Sequence, residues 1–216
     1  MNPALAGVAL AVVLGAVIAG SARNARAAVL GLIVALVGGS FVADPLPDSL
    51  SLAARLVGAM LAGYLLWIVG RGNDARTGGS RLGWPAELLV ATAAAVVGYG
   101  SHGLGAPASG PALAQAAGFA LAALAVAPIA NGRDILRMGI GLNFLAGAAV
   151  LVRTALGGTP APLEQLVIAG FIAVLGGAVA AVAASARAEG TAGFELAPRA
   201  SERLRRPPDA HPLEPR

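Results

Sequence analysis

The chain has 216 residues, of which 57% are hydrophobic and 12% charged, and it contains no cysteine. This composition excludes a water-soluble fold, and the lack of cysteine excludes disulfides and thiolate metal sites. The formal net charge of +4 comes from arginines spread along the chain, since lysine does not occur. Such arginines mark the loops beside membrane spans, so we expect a membrane protein that binds no nucleic acid.

Apolar stretches of about 20 residues, each able to cross a bilayer as a helix, recur between short polar turns. We predict an all-α, polytopic membrane helix bundle of seven transmembrane helices, at residues 3–20, 27–42, 50–70, 84–103, 112–130, 135–155 and 163–185. Residues 1–111 would hold helices 1–4 and residues 112–185 a three-helix unit. The Pro- and Arg-rich residues 186–216 are predicted to be a disordered tail.

Arginines are concentrated in the connections after helices 1, 3, 5 and 7 and are absent from the connections after helices 2, 4 and 6. By the positive-inside rule, this distribution places the N-terminus outside and the C-terminus in the cytoplasm. An odd number of spans requires the termini to lie on opposite sides, which agrees with this orientation.

Helices 1–3 and helices 5–7 follow the same plan. In each set, an apolar helix leads to an arginine-containing turn (ARNAR and GRDILR), a second helix, a proline-containing turn (DPLPDSL and TPAPLEQL) and a third helix. Equivalent helices lie four apart, so such a repeat would be parallel rather than inverted.

Glu87 and Glu164 are the two acids that fall within predicted spans, and each lies about one turn from the start of its helix. An acid there complements the positive end of the helix, so one interpretation is an acid at the membrane interface that marks the helix start. The alternative is proton or ion handling, since charges survive inside membranes mainly for function. Arg153, near the end of helix 6, is a candidate to pair with Glu164.

Other polar residues in the spans have structural interpretations. Arg55 is expected to extend to the membrane interface, and the Asn143 amide is expected to join two helices. His102, beside a Gly-rich loop, is expected to be solvated. Small residues are expected to let neighbouring helices approach closely, at Gly58, Ala62, Gly139, Gly147, Gly170, Gly176 and Gly177.

The segment GRDILRMGIGLNFLAGAAVLV at residues 132–152, followed by PLEQLVIAGF at 162–171, resembles the K-type small membrane subunit of respiratory complex I. It is also similar to the C subunit of multisubunit Na⁺/H⁺ antiporters and to component E of formate-hydrogenlyase-type hydrogenases. The resemblance covers residues 112–186, and the additional preceding helices make the whole chain most similar to component E. Arg133 and Arg137 lie in the arginine turn of this motif.

The resemblance implies a non-catalytic subunit, without a cofactor or metal, that packs against larger antiporter-like subunits in a prokaryotic inner or plasma membrane. The assembly would be a complex-I-like, hydrogenase-like or antiporter-like ion-translocating complex. Asn143 stands where this family has a glutamate, and an amide does not titrate. Proton relay is therefore not expected of this chain itself.

A second hypothesis is a self-contained small transporter built on the parallel repeat, with its site between helices 2–3 and 6–7. A third is a structural membrane protein without a transport role.

Overall fold

The computed structural model describes residues 2–71, 83–105, 107–130 and 135–188. These residues form seven α-helices and no strand: α1 (Pro3–Ser21), α2 (Ala25–Gly39), α3 (Ser49–Val69), α4 (Trp84–Gly100), α5 (Ala112–Ala130), α6 (Ile135–Gly157) and α7 (Pro162–Ala188). The predicted all-helical architecture is confirmed for the described residues.

Five of the described helices, α1, α3, α5, α6 and α7, are long and apolar enough to cross a membrane. These helices indicate a membrane-embedded protein. The two others, α2 with 15 residues and α4 with 17, are about 22 and 26 Å long, less than the roughly 30 Å of a bilayer core. Seven spans therefore remain a prediction.

The helix limits differ from the predicted ones most clearly in α2. Its start at Ala25 is two residues earlier than predicted because the Asn24 side chain accepts a hydrogen bond from Arg26 N. Its end at Gly39 is three residues earlier because Ser40, Phe41 and Val42 bond to carbonyls three residues back, which tightens the final turn. In addition, α7 continues to Ala188, so it includes the first residues of the predicted tail.

The helices pack in two layers of three. In one layer α2 lies between α1 and α3, and in the other α6 lies between α5 and α7. Each helix also contacts its counterpart four helices on: α1 contacts α5, α2 contacts α6, and α3 contacts α7. Helix α4 packs beside the layers, on α5 and α1. The order in which α1, α2 and α3 pack side by side is thus repeated by α5, α6 and α7.

Contact between α1 and α2 depends on two facing glycines. A methyl group added at Gly31 would lie 2.5 Å from the carbonyl oxygen of Gly15 and 2.6 Å from the backbone nitrogen of Ala19. Both atoms belong to the backbone, so no side-chain rotation could relieve the clash. The glycines let the two helix backbones approach, and van der Waals contact then holds the helices together.

Helices α3 and α7 pack in the same way through small residues. A methyl group at Gly58 would lie 2.6 Å from Ala169 O, and one at Gly176 would lie 2.6 Å from Ala62 Cβ and 2.7 Å from its Cα. The predicted close packing at Gly58, Ala62 and Gly176 is confirmed. At Gly170 it is wrong for the described chain, where no atom lies within 4 Å of an added methyl group.

Charged and polar groups hold the ends of these helices. The Asp48 side chain caps α3 by accepting a hydrogen bond from Ser51 N at 3.1 Å. Hydrogen bonds from the side chain and the backbone amide of Ser51 lower the pKa of Asp48. At the far end of α6, the backbone amides of Ser109 and Gly110 donate to Leu156 O and Ala155 O. The linker before α5 therefore supplies donors that the last turn of α6 lacks.

Topology relative to the membrane can be tested with single cysteines, because the natural chain has none. We expect an Arg23→Cys variant to react with a membrane-impermeant maleimide only after the cells are permeabilised. A Leu104→Cys variant, in the exposed loop after α4, should react in intact cells. The reverse labelling pattern would contradict the orientation predicted from the arginines.

Candidate functional site

Three helices meet at one end of the bundle, where α1 finishes and α4 and α6 begin. We call this the arginine end because Arg23 and Arg26 follow α1, Arg71 follows α3, and Arg137 lies in the first turn of α6. The other end is called the opposite end. The arginine end brings together two of the side chains singled out in the sequence, Glu87 and Arg137.

Arg137 reaches from α6 to the C-terminal end of α1. Its Nη2 donates to Gly20 O at 2.9 Å and to Ala22 O at 3.4 Å. The last carbonyls of a helix lack intrahelical donors and carry partial negative charge, so a guanidinium is a favourable partner for them. The side chain thus fixes the start of α6 against the end of α1.

Glu87 lies in the first turn of α4, as predicted, but it is only 6% exposed. The side chain is thus buried inside the bundle at the start of α4, and its interpretation as an acid at the membrane interface stays a prediction. Its carboxylate lies against α1, with Oε2 2.9 Å from the position of a methyl group on Gly20. Gly20 leaves room for the carboxylate, and the same residue accepts the hydrogen bond from Arg137. An acid from α4 and a base from α6 thus converge on one residue of α1.

Arg153 and Glu164 form a bidentate ion pair at the opposite end. Nε of Arg153 lies 3.2 Å from Oε1 of Glu164, and Nη2 lies 3.2 Å from Oε2. The predicted pairing is confirmed. The two side chains are 45% and 37% exposed, so solvent or lipid headgroups screen their attraction and the pair adds little stability.

Asn143, in the middle of α6, is fully buried. Its Nδ2 donates to Gly139 O of the same helix at 2.8 Å, and its Oδ1 has no hydrogen-bond donor among the described residues. The expectation that this amide joins two helices is therefore wrong for the described chain. Burial instead results from the contacts around it, since Gly139 packs on Val179 of α7 and Gly147 on Leu36 of α2.

Replacement of Asn143 by Leu is expected to change the free energy of unfolding by less than about 1 kcal/mol. The substitution removes a buried acceptor that lacks a donor, and the Gly139 carbonyl keeps its backbone hydrogen bond. Denaturant titration in mixed detergent micelles measures the change. A loss of about 2 kcal/mol or more would show that Oδ1 is hydrogen-bonded in the membrane-embedded protein.

Arg55 is 5% exposed, and its Nη2 donates to Gly39 O, the last residue of α2, at 3.3 Å. The expectation that this side chain extends to the interface is wrong. It lies instead over the negative end of a neighbouring helix, as Arg137 does at the arginine end. Both arginines join the end of one helix to the side of another.

A polar network that the sequence did not predict joins α4 to α5 at the opposite end. His102 Nδ1 lies 2.9 Å from Oε1 of the buried Gln115, and Gln115 Nε2 donates to Ser101 Oγ at 3.1 Å. His102 is therefore partly buried and bonded rather than solvated. Gln115 was visible as a single amide in an apolar helix, but its partner depends on how α4 and α5 pack.

Arg133 lies outside the described residues, so its predicted role stays a prediction. Within the described residues, no group of three or more histidine, aspartate or glutamate side chains comes together. No protein-family model matches the chain, and no curated protein or solved structure is significantly similar to it.

Proposed function

We propose that this chain is a non-catalytic integral membrane subunit of an ion-translocating assembly of the complex-I-like, hydrogenase-like or multisubunit antiporter-like kind. Its partners are larger antiporter-like subunits of the same complex, in the plasma membrane of a prokaryote. The resemblance of residues 132–152 to the K-type subunits supports this proposal. The observation that carries it is the distribution of charge in the bundle.

The ionisable side chains of the described helices lie near helix ends. Glu87 and Arg137 lie at the arginine end, while Arg55, Arg153 and Glu164 lie at the opposite end. Asn143, which cannot gain or lose a proton at physiological pH, occupies the middle of α6 instead of an acid. The chain is thus suited to hold its helices beside an ion path that other subunits provide.

The outward face of α7 offers a surface for such a partner. Gly170 is exposed there and leaves a notch, with no described atom within 4 Å of an added methyl group. Large exposed side chains surround the notch: Leu166, Val167, Phe171 and Val174. A glycine inside a helix lowers the stability of that helix. In return, the notch at Gly170 lets another transmembrane helix approach closely.

Site-directed photocrosslinking in native membranes tests this partner surface. A photoreactive probe on Val174→Cys is expected to join the chain to a larger membrane protein, which mass spectrometry then identifies. The matched control is Val96→Cys on α4, because both valines are strongly exposed, 71% and 66% respectively. Crosslinks from position 174 to lipid alone would contradict docking at this face.

The second candidate, a self-contained transporter, is favoured by one observation. The three-helix arrangement of α1–α3 recurs in α5–α7, and equivalent helices contact each other. Internal repeats of this kind form transport sites at the interface between the two copies. This candidate predicts ion or substrate flux in liposomes that contain the purified chain alone, and the absence of flux would eliminate it.

A further inference from the structure

Helices α3 and α7 hold equivalent places in the two layers and run in the same direction. Gly58 of α3 meets Ala169 of α7, and further along both helices Ala62 meets Gly176. Because the contacts advance together along the two helices, α3 and α7 are parallel. Their contact is therefore a parallel crossing of two helices through small residues.

The sequence repeat defines which residues of the two helices are equivalent. A Pro-Leu-Pro turn at residues 45–47 leads into α3, and a Pro-Ala-Pro turn at residues 160–162 leads into α7. Matching the two turns pairs each residue of α3 with the residue 115 positions later in α7, as Pro45 is paired with Pro160.

Equivalent residues of the two helices lie on opposite sides of the interface. Ala59 and Leu66 are buried in α3, but their equivalents Val174 and Ala181 are exposed on α7. The same comparison holds along the whole helix, since every buried residue of α3 has an exposed or half-buried equivalent in α7. Conversely, every buried residue of α7 has an exposed or half-buried equivalent in α3.

This pattern shows that the two layers are stacked in the same sense and not face to face. The side of α3 that receives α7 has its equivalent on the outer face of α7, which the described residues leave uncovered. A head-to-tail contact of this kind does not close on itself, so it leaves one copy of the receiving face open. The outer face of α7 is that open copy.

A second copy of this chain does not fit the open face in the same geometry. The equivalent of Gly176 on α3 is Leu61, which is 45% exposed on the side away from α7. A methyl group added at Gly176 would already lie 2.7 Å from Cα of Ala62. Gly177, the equivalent of Ala62, has the same backbone, so a leucine in that place would clash with it.

We propose that a transmembrane helix of a different chain packs on the outer face of α7, parallel to α7 and in the place that α7 takes on α3. The partner helix carries two small residues two turns apart, as α7 carries Ala169 and Gly176, because backbones approach closely only over small side chains. This inference rests on the proposed role as a subunit, and it adds the direction and the contact residues of the partner helix.

Paired crosslinking in native membranes tests the direction of the partner helix. Photoreactive probes are attached to Leu166→Cys, near the start of α7, or to Ala181→Cys, near its end, since both positions are exposed. Both probes are expected to join one helix of a partner chain, with Leu166→Cys nearer the N-terminus of that helix. Mass spectrometry of the joined peptides gives the order. Leu61→Cys, on the outer side of α3, is the control and should not join that helix.

Gly177→Leu tests the close contact itself. An added methyl group at Gly177 lies 3.6 Å from Leu65, an ordinary contact, so the isolated chain should keep its thermal unfolding midpoint, Tm. Recovery of the partner with the tagged chain should fall about tenfold or more, because the approach is overpacked. Ala181→Leu, exposed on the same face, replaces this variant if Tm falls. Ala93→Leu, exposed on α4, is the control and should keep the partner.

Several results would overturn this inference. Crosslinks in the reverse order would show an antiparallel helix, and crosslinks to a second copy or to lipid alone would show a different occupant. Undiminished recovery of the partner with Gly177→Leu would contradict the close contact. If larger antiporter-like subunits still copurify with the chain in these cases, the subunit role stands and only this inference fails. Recovery of the chain without such subunits would overturn both.

Discussion

Replacement of Gly176 by Ala is expected to destabilise the bundle by about 1–3 kcal/mol, the usual cost of overpacking a close contact. The added methyl group would lie within 2.7 Å of both Cα and Cβ of Ala62. Because Cα belongs to the backbone, α3 and α7 would have to move apart. That movement would also weaken the contact of Gly58 with Ala169, which lies in the same interface.

The matched control for this substitution is Gly170→Ala in the same helix. Its methyl group meets no described atom within 4 Å, so it adds helix propensity without a clash. We expect a stabilisation of up to about 1 kcal/mol in the isolated chain. Denaturation in mixed micelles compares the two variants. Equal effects would contradict the close α3–α7 contact.

Replacement of Arg137 by Met is expected to cost about 1.5–3 kcal/mol, because hydrogen bonds from a charged donor to the end of α1 are lost. The carbonyls of Gly20 and Ala22 would lose the hydrogen bonds that Arg137 donates, while the Glu87 carboxylate beside Gly20 would stay buried.

Arg153→Met provides the comparison within the same helix. This substitution removes an exposed ion pair with Glu164, so the loss should be less than about 1 kcal/mol. Both variants remove one arginine from α6 and leave its apolar surface nearly unchanged. A loss at Arg153 as large as that at Arg137 would contradict the importance assigned to the junction of α1, α4 and α6.

Sequence reasoning located the helices because apolar runs and polar turns alternate clearly in this chain. It offered the Arg153–Glu164 pair only as an alternative to extension of Arg153 to the membrane interface, and the structure forms that pair. It did not predict that Arg55 and Glu87 are buried inside the bundle. Their burial depends on which helix end lies opposite each side chain, and that is decided by packing between helices distant in sequence.

The junction of α1, α4 and α6 at the arginine end is another contact between distant segments that the sequence does not predict. Gly20 and Arg137 are separated by 117 residues, and no local pattern connects them. The sequence singled out Arg137 as part of an arginine-containing turn, but it did not predict that this side chain binds the end of α1. Nothing in the sequence distinguishes Gly20 from the other glycines, because its importance comes from the Glu87 carboxylate packed against it.

The proposed role as a subunit is tested most directly by the mass of the particle that contains this chain. A tagged chain would be extracted from native membranes in a mild detergent and measured by native mass spectrometry. We expect a particle much heavier than the 21.1 kDa chain, with larger antiporter-like membrane proteins among its components. Recovery of the chain alone, or only as copies of itself, would contradict it.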